Sequence, residues 1–243
     1  MKRVVIALAD RDFDPTEVVA PWRAFCTAGF EVVFATGTGK AAACDPLLLS
    51  GVIFGQLGAK AHNVVAYAEM VGTSAFQHPV SYADISVAEF GALVLPGGHA
   101  KGMRQYLEST ELQMKVVAFF EARRPVGAIC HGSVVLARSI DPNTGKSVLH
   151  GRRCTALTKS LESTAWALTA WKLGDYYRTY PEWVQDEVSR ALSDPSHFET
   201  GPMIATYNNG FIVRDGNLVT ARWPGDAERF AAELVGMLRA ADT

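Results

Sequence analysis

The chain has few cysteines and no long uninterrupted hydrophobic run. Its four cysteines form no C-x-x-C pair, which argues against structural zinc or a disulfide framework and fits a reducing compartment. The apolar run that begins at Val4 reaches Asp10 too early for a signal peptide or a membrane span. The sequence therefore predicts a cytoplasmic protein that does not act in a membrane.

An excess of either charge is also missing. The 23 Lys and Arg residues nearly balance the 25 Asp and Glu residues, and the formal net charge is −2. Basic residues are scattered, so nothing indicates a nucleic-acid partner or binding to an acidic membrane surface. With 243 residues, 49% of them hydrophobic, and no repeat or obvious linker, the chain is expected to form a single domain over 1–243.

The chain does contain an alternation of short apolar runs and amphipathic segments, which is typical of an α/β fold. The β-branched runs at 3–9 and 31–37 flank a helical segment and predict a parallel βαβ unit. Strands are also predicted at 90–98 and 125–129, with an amphipathic helix over 103–124 between them. Parallel strands connected in this way end at one edge of the sheet, where α/β proteins bind ligands.

Two segments interrupt this alternation, near 36–85 and 155–205. The first begins rich in Gly and Ala, and the second is crowded with aromatic side chains that could be core, subunit interface or pocket wall. We interpret them as insertions that form a helical lid. After them, two β-rich runs around Asp215-Gly216 predict a hairpin over 210–223.

The strongest chemical signal is VGAICHGSVVLARS at 126–139, where a strand meets a helix. Its Ala128-x-Cys130-x-Gly132 pattern is related to the G-x-S-x-G nucleophile elbow, with cysteine as the nucleophile. The following helix N-terminus favours the thiolate form, and the backbone N–H of His131 can donate to an oxyanion. The pattern predicts a reactive Cys130, although most free cysteines are small core residues.

Two other segments are predicted to end at the same sheet edge. Gly97 and Gly98, in LPGGHA, can offer backbone N–H groups to an oxyanion hole, or can form a plain tight turn. Glu17 follows the first strand in the first helical turn. A carboxyl buried there could be protonated and bind the sulfur, or move a proton on a substrate carbon, whereas a surface Glu would only be solvated.

These segments together resemble the ThiJ/PfpI superfamily. The matching residues are Glu17-Val-Val-Ala-Pro21, Pro96-Gly97-Gly98, Ala128-Ile-Cys-His-Gly132 and TARWPGDAERFAAELV at 220–235. The resemblance covers nearly the whole chain and implies a class I glutamine amidotransferase-like fold, a three-layer α/β/α sandwich with a mostly parallel central sheet. It implies Cys130 as nucleophile, Glu17 as its carboxyl partner, His131 as base, and Gly98 with the His131 N–H as oxyanion donors. It also implies a homodimer.

The size of the chain, the insertion at 36–85 and the GGHA turn are most similar to the glutathione-independent glyoxalase branch, which overlaps with stress chaperones. That resemblance implies conversion of methylglyoxal to D-lactate. A thiolate adds to the aldehyde, a base shifts a proton between carbons, and water releases the hydroxy acid, so no metal or organic cofactor is expected.

One part of the pattern departs from that branch, in which an acidic residue after a TAFP-like strand orients the catalytic His. Here the corresponding text is TALTKSLES, with Lys159 near that position. The first acid is Glu162, which could orient His131 from the next helical turn. An exposed helix charge is the alternative for Glu162, and the substrate is left open.

Other interpretations remain open. An amidase or peptidase would use the same thiolate, base and oxyanion hole on a small amide rather than a small carbonyl compound. A glutamine amidotransferase would add a later His-x-Glu pair, for which His197-Phe198-Glu199 is the candidate. A redox sensor or holdase chaperone would oxidise Cys130 or expose apolar surface without turnover. A metal site near His99 and His131 is not expected, because no carboxylate or cysteine spacing accompanies them.

Overall fold

A seven-stranded sheet forms the centre of the computed structural model, which describes residues 2–202 and 210–241. The strand order is β10-β11-β7-β6-β1-β3-β5, and every neighbouring pair is parallel except β10–β11. The seven strands are β1 (Arg3–Ala7), β3 (Glu31–Thr36), β5 (Val80–Ser81), β6 (Ala92–Leu95), β7 (Val126–Ile129), β10 (Ile212–Asp215) and β11 (Leu218–Ala221). Two small sheets pair β2 (Arg11–Phe13) with β4 (Ala43–Cys44) and β8 (Ile140–Asp141) with β9 (Lys146–Ser147).

Helices form the outer layers. They are α1 (Pro15–Thr27), α2 (Pro46–Ser50), α3 (Ala61–Val71), α4 (Ser74–Gln77), α5 (Arg104–Leu107), α6 (Thr110–Glu121), α7 (Gly132–Arg138), α8 (Lys159–Leu173), α9 (Val184–Ala191) and α10 (Ala227–Ala241). One group packs α1 against α3 and α10, and another packs α7 against α6 and α9. The α/β sandwich predicted from the sequence is confirmed. None of the helices within 2–202 and 210–241 is long and apolar enough to cross a membrane.

The central strands are apolar because helices cover both of their faces. In β6 and β7 every residue is buried, and in β1 only Arg3 keeps partial exposure. Such strands read as continuous apolar runs rather than alternating ones. The parallel register places the ends of β6 and β7 side by side, with Leu95 opposite Ala128. The predicted hairpin also forms, with Asp215 paired to Leu218 across the turn.

The single helix predicted over 103–124 is wrong, because two helices occupy that segment. α5 ends at Leu107, and α6 begins at Thr110. Ser109 separates them, since its Oγ accepts a hydrogen bond from Leu112 N at 3.2 Å and caps α6. Serine at this position satisfies an N–H that the helix itself leaves unpaired.

The aromatic residues between 164 and 184 lie in several different environments. Tyr177 is buried, with its hydroxyl donating to Asp45, whereas Trp171 is 67% exposed. Trp183 carries the Arg178 guanidinium over its ring at 3.6 Å. The segment is therefore neither uniformly core nor uniformly surface.

Candidate active site

The strand–helix junction after β7 forms the predicted elbow. Cys130 has a φ of +58°, in the left-handed region that non-glycine residues rarely adopt. Its backbone N–H donates to Ala221 O on β11 at 3.0 Å, which holds the residue against the sheet. Two positions on, a Cβ on Gly132 would lie 2.0 Å from Leu95 O, so only glycine fits where α7 starts beside β6. This strained turn directs the Cys130 side chain into the site.

The close approach at Gly132 gives a direct test of the elbow. We expect Gly132→Ala to destabilise the fold by about 3 kcal/mol or more, because its Cβ would overlap the Leu95 carbonyl. Gly236→Ala is the matched control. Nothing lies within 4 Å of a Cβ at that helical position, so it should be neutral or stabilising by about 0.5–1 kcal/mol. Urea unfolding measures both, and a Gly132→Ala variant as stable as the parent would contradict this account of the turn.

Glu17 reaches the sulfur from α1. Asp14 caps that helix by accepting from Thr16 N at 2.8 Å and Glu17 N at 3.2 Å, and Pro15 occupies the first turn. Glu17 is fully buried, and its Oε2 accepts from Gly97 N at 2.8 Å. A Cβ built on Gly97 would lie 2.9 Å from both Glu17 Oε2 and Cys130 Cβ, so the structure places Glu17 near Cys130. The role of Glu17 as the carboxyl partner of the thiol stays a prediction.

Burial sets the protonation of this pair. It raises the pKa of Glu17 well above its usual range, and the neighbouring Asp14 carboxyl raises it further. Glu17 Oε1 is also buried without a hydrogen-bond partner within the described part of the chain, which a charged carboxylate would tolerate poorly. Burial, reinforced by Glu17, likewise raises the pKa of Cys130. Both groups are thus neutral at rest, which contradicts the expectation of an ionised resting thiol.

Two imidazoles flank the thiol. His131 Nδ1 and His99 Nε2 each lie 3.6 Å from Cys130 Sγ, and the ring centroids are 5.0 Å apart. Burial lowers the pKa of His131 well below its usual range, with His99 and Arg178 adding to the effect, and burial lowers the pKa of His99 to about 4. Both rings are therefore neutral near pH 7. Sequence reasoning missed His99 as a neighbour of the sulfur, although it directly follows the Gly97-Gly98 turn.

Thr179 fixes the tautomer of His131. Its Oγ1 donates to His99 O at 2.6 Å and lies 3.2 Å from His131 Nε2. A hydroxyl has a single proton, so Oγ1 must accept from Nε2–H at the second contact. His131 Nδ1 then carries the lone pair that faces Cys130 Sγ. The imidazole is oriented to take a proton from the thiol.

Glu162 does not orient His131, so that prediction is wrong. Its Oε1 pairs with Arg178 at 3.2 Å and its Oε2 accepts from Val184 N at 3.0 Å. Both carboxyl oxygens are therefore engaged away from the imidazole. Burial raises the pKa of Glu162 to about 7. Since Arg178 precedes Thr179, Glu162 is bound to the segment that carries Thr179 and not to His131 itself.

The predicted oxyanion hole is altered in one respect. The Gly97 N–H is occupied by Glu17, so Gly97 is not the free donor that the sequence suggested. A Cβ at Gly97 would come within 3 Å of His131 N, Cys130 Cβ and Glu17 Oε2, which explains the glycine. Burial raises the pKa of Cys130, and the His131 N–H offsets only part of that rise. Donation to an oxyanion from His131 N–H and from Gly98 stays a prediction.

The later His-x-Glu pair does not serve this thiol. Glu199 pairs with Arg153 at 2.8 Å, and Cys154 forms a β-bridge with Phe198, so the segment packs on Cys154 rather than Cys130. The imidazoles at Cys130 belong to His99 and His131. This geometry gives no support to the glutamine amidotransferase interpretation.

The cluster around the sulfur could also bind a soft metal ion. Cys130, His99 and His131 each offer one ligand atom, and these atoms lie within 4.8 Å of one another. From the sequence, no cysteine was expected beside His99 and His131. That expectation was wrong, because Cys130 lies next to both of them in the structure. A cysteine and two neutral imidazoles suit Zn²⁺, and an ion on Sγ would block its addition to a carbonyl.

A cavity of about 560 Å³ approaches the cluster. Asp14, Thr16 and His99 line the part near the cluster, and the two inserted segments supply most of the remaining lining, including Leu48 and Leu161. Cys130 itself has no exposed surface, so the sulfur lies behind the cavity wall rather than at its mouth. His99 lines the cavity and also contacts Cys130 Sγ, so its ring lies between the cavity and the sulfur.

Comparisons with known proteins identify the family of the chain. A family profile described as ThiJ/PfpI family-like matches residues 8–202. An uncharacterized protein from Schizosaccharomyces pombe is 34% identical over 137 residues, which are 56% of this chain and 50% of that protein. A deglycase from Pyrococcus abyssi is 26% identical over 98% of this chain and 99% of its own length. The chain thus spans about half of one relative and nearly all of the other.

Candida albicans supplies both a sequence relative and a similar solved structure. Glyoxalase 3 from Candida albicans is 22% identical over 90% of this chain and 86% of that protein. The crystal structure of glyoxalase III from Candida albicans superimposes with a TM-score of 0.68 at 19% identity, covering 96% of each chain. The structural likeness extends over the whole fold.

Proposed function

Because the chain belongs to the ThiJ/PfpI-like family, we propose that it is a cysteine-dependent glyoxalase that converts an α-oxoaldehyde to a 2-hydroxy acid, with D-lactate as the product from methylglyoxal. The observation that carries the proposal is the buried Cys130 thiol 3.6 Å from Nδ1 of the tautomer-fixed His131 imidazole. The buried carboxyl of Glu17, whose pKa burial raises well above its usual range, belongs to the same cluster. Relatives named deglycase and glyoxalase support this class of activity. A homodimer and a cytoplasmic location stay predictions.

The first step adds the thiol to the aldehyde. As the Cys130 S–C bond forms, His131 Nδ1 takes the thiol proton and passes it to the aldehyde oxygen, giving a neutral hemithioacetal. His131 is neutral again afterwards. Since Cys130 has no exposed surface, the aldehyde reaches Sγ only when the partly exposed His99 ring moves aside.

The second step is an internal redox reaction between the two substrate carbons. His131 removes the proton from the former aldehyde carbon while protonated Glu17 donates to the ketone oxygen, which gives an enediol. Glu17 then takes the hydroxyl proton of the first carbon, and His131 returns its proton to the second. The product is a 2-hydroxy thioester. Water cleaves the C–S bond, the sulfur regains a proton, and the net change is addition of one water.

A coupled assay tests the proposal directly. Purified protein is incubated with methylglyoxal, and D-lactate is followed with a stereospecific dehydrogenase. Parallel incubations contain an amine–glyoxal adduct and small amides. D-Lactate formation supports the proposal, whereas amine release from the adduct alone would favour a deglycase. Amide hydrolysis without D-lactate would favour the amidase alternative.

Thr179 is expected to set the rate through the tautomer of His131. Thr179→Val keeps the shape but leaves Nε2–H without an acceptor in a buried site, which costs about 1–3 kcal/mol or roughly 5–150-fold in turnover. Thr179→Ser restores the acceptor and should restore most of the rate. Nitrogen-15 NMR of the imidazole should report Nε2–H in the parent and mixed tautomers in Thr179→Val. Equal rates and equal spectra would contradict the assigned role.

A further inference from the structure

The cavity beside His99 is much larger than methylglyoxal requires. Its volume of about 560 Å³ lies within the roughly 300–1,000 Å³ of pockets that hold drug-sized ligands. A three-carbon compound would leave most of this space unfilled. The excess volume therefore indicates a substrate that carries a larger group than a methyl.

One helix contributes an apolar stripe to the wall. Leu161, Ala165 and Leu168 line the cavity from α8, at the i, i+4 and i+7 spacing that places side chains on one helical face. Ser160, Thr164 and Thr169 of the same helix line it as well, so hydroxyl-bearing residues flank the stripe. The opposite wall includes Leu48 and Val52 from the first inserted segment. Both walls offer hydrocarbon surface to whatever occupies the space.

The cavity is also polarised along its length. Its polar end holds Asp14, Thr16 and His99, next to the thiol. At another part of its wall, Leu57 and Leu168 are each 51% exposed, so that part opens to solvent. A substrate would place its carbonyl groups at His99 and its hydrocarbon between α8 and the first inserted segment.

The charges of the lining argue against anionic substrates. Asp14 is the charged residue of the lining, and no Lys or Arg lines the cavity within the described ranges 2–202 and 210–241. A carboxylate or phosphate on the substrate would be desolvated there without a counter-charge. Neutral apolar substituents carry no such cost.

We infer that the enzyme selects α-oxoaldehydes with a bulky neutral hydrocarbon substituent, such as an aryl or a medium-length alkyl group, over methylglyoxal. This inference rests on the proposed function, because it assigns the carbonyl end to Cys130. Burying each additional methylene should raise kcat/KM about fourfold until the cavity is filled.

The first test is a substrate series on the unmodified protein. The value of kcat/KM is measured for methylglyoxal, 2-oxohexanal, phenylglyoxal and an oxoaldehyde that ends in a carboxylate. We expect at least a tenfold rise from methylglyoxal to phenylglyoxal, and a lower value for the carboxylate compound than for 2-oxohexanal. Equal values across the series, or a preference for methylglyoxal, would overturn the inference while leaving the glyoxalase proposal in place.

The second test fills the cavity. Ala165→Phe should lower kcat/KM for phenylglyoxal at least tenfold more than it lowers the value for methylglyoxal. Ala167→Phe is the matched control, because Ala167 lies on the exposed side of the same helix and should leave both values unchanged. Thermal melting checks that both variants fold. Equal effects of Ala165→Phe on the two substrates would count against an apolar substrate subsite.

Binding separates the two proposals if no oxoaldehyde is turned over. Acetophenone and 2-octanone lack the aldehyde but fit the same space, and calorimetry measures their affinity for the unmodified protein and for Ala165→Phe. Binding that Ala165→Phe weakens at least tenfold would keep the apolar site and discard the glyoxalase reaction. If neither ketone binds, or if Ala165→Phe leaves their affinity unchanged, the inference is overturned as well.

Discussion

Replacing Cys130 with serine is expected to lower α-oxoaldehyde turnover by roughly 10³-fold or more. The serine hydroxyl is far less acidic than a thiol, so His131 cannot prepare it for attack at the same rate. Serine is slightly smaller than cysteine and fits the same buried position, so thermal unfolding should change little. D-Lactate formation and melting by circular dichroism measure the two effects.

Cys154→Ser is the matched control for that experiment. Cys154 is also fully buried, and burial raises the pKa of its thiol to about 12. It lies beside Phe198 on a different segment, so its replacement should leave turnover unchanged. A Cys130→Ser variant with parental turnover, or an equal loss in Cys154→Ser, would refute the proposed nucleophile.

The same variant distinguishes the non-enzymatic alternatives. A holdase chaperone would suppress aggregation equally well with serine at position 130. A redox sensor would form a sulfinic acid at Cys130 with peroxide and turn over no aldehyde. The neutral, buried resting thiol argues against rapid oxidation, because peroxide attacks the thiolate.

Local sequence signals predicted the parts of the fold that short-range physics controls. Small residues around Cys130 predicted the elbow, because the turn leaves no room for a Cβ at Gly132. Asp215-Gly216 predicted the hairpin for a similar reason, since Gly216 has a φ of +59°. The break at Ser109 had an equally local signal, a capping serine inside an apparent helix. The apolar periodicity on both sides of Ser109 suggested one continuous helix instead.

The site was harder to predict where it depends on distant contacts. Thr179 meets His131 from 48 residues away, through a loop between α8 and α9 with no periodic pattern. Nothing local distinguishes it from a surface threonine. Glu162 is the first acidic residue after the TALT segment, so the sequence suggested it as the partner of His131. In the structure its carboxylate binds Arg178 and the Val184 N–H instead. Spacing suggested which residues were near, and three-dimensional hydrogen bonding decided their partners.

Replacing Glu17 with glutamine is expected to abolish the proton transfers and retain the thiol addition. Glutamine keeps the acceptor for Gly97 N–H but has no acidic proton for the ketone oxygen, so turnover should fall by roughly 10²–10⁴-fold. Hemithioacetal formation needs only Cys130 and His131. Mass spectrometry should therefore detect the adduct, and D-lactate should be nearly absent.

The dependence of turnover on pH tests the same requirement for a protonated Glu17. Burial raises the pKa of Glu17, so the carboxyl is protonated at neutral pH and turnover should fall as rising pH ionises it. Burial lowers the pKa of His131 below its ordinary 6.5, so activity should persist in mildly acidic buffer. A profile whose acidic limb is centred above pH 6.5 would contradict the assignment of His131 as the base.

Glu162→Gln is the control that separates the role of Glu17 from the loss of any buried carboxylate. Glu17 and Glu162 are 0% and 1% exposed, but Glu162 binds Arg178 and Val184 N instead of the thiol. Its amide variant should lower turnover less than about tenfold, because it affects the rate only through the segment that carries Thr179. Equal losses in the two variants would show that Glu17 is structural, and a Glu17→Gln variant with more than a tenth of parental turnover would exclude it as the proton carrier.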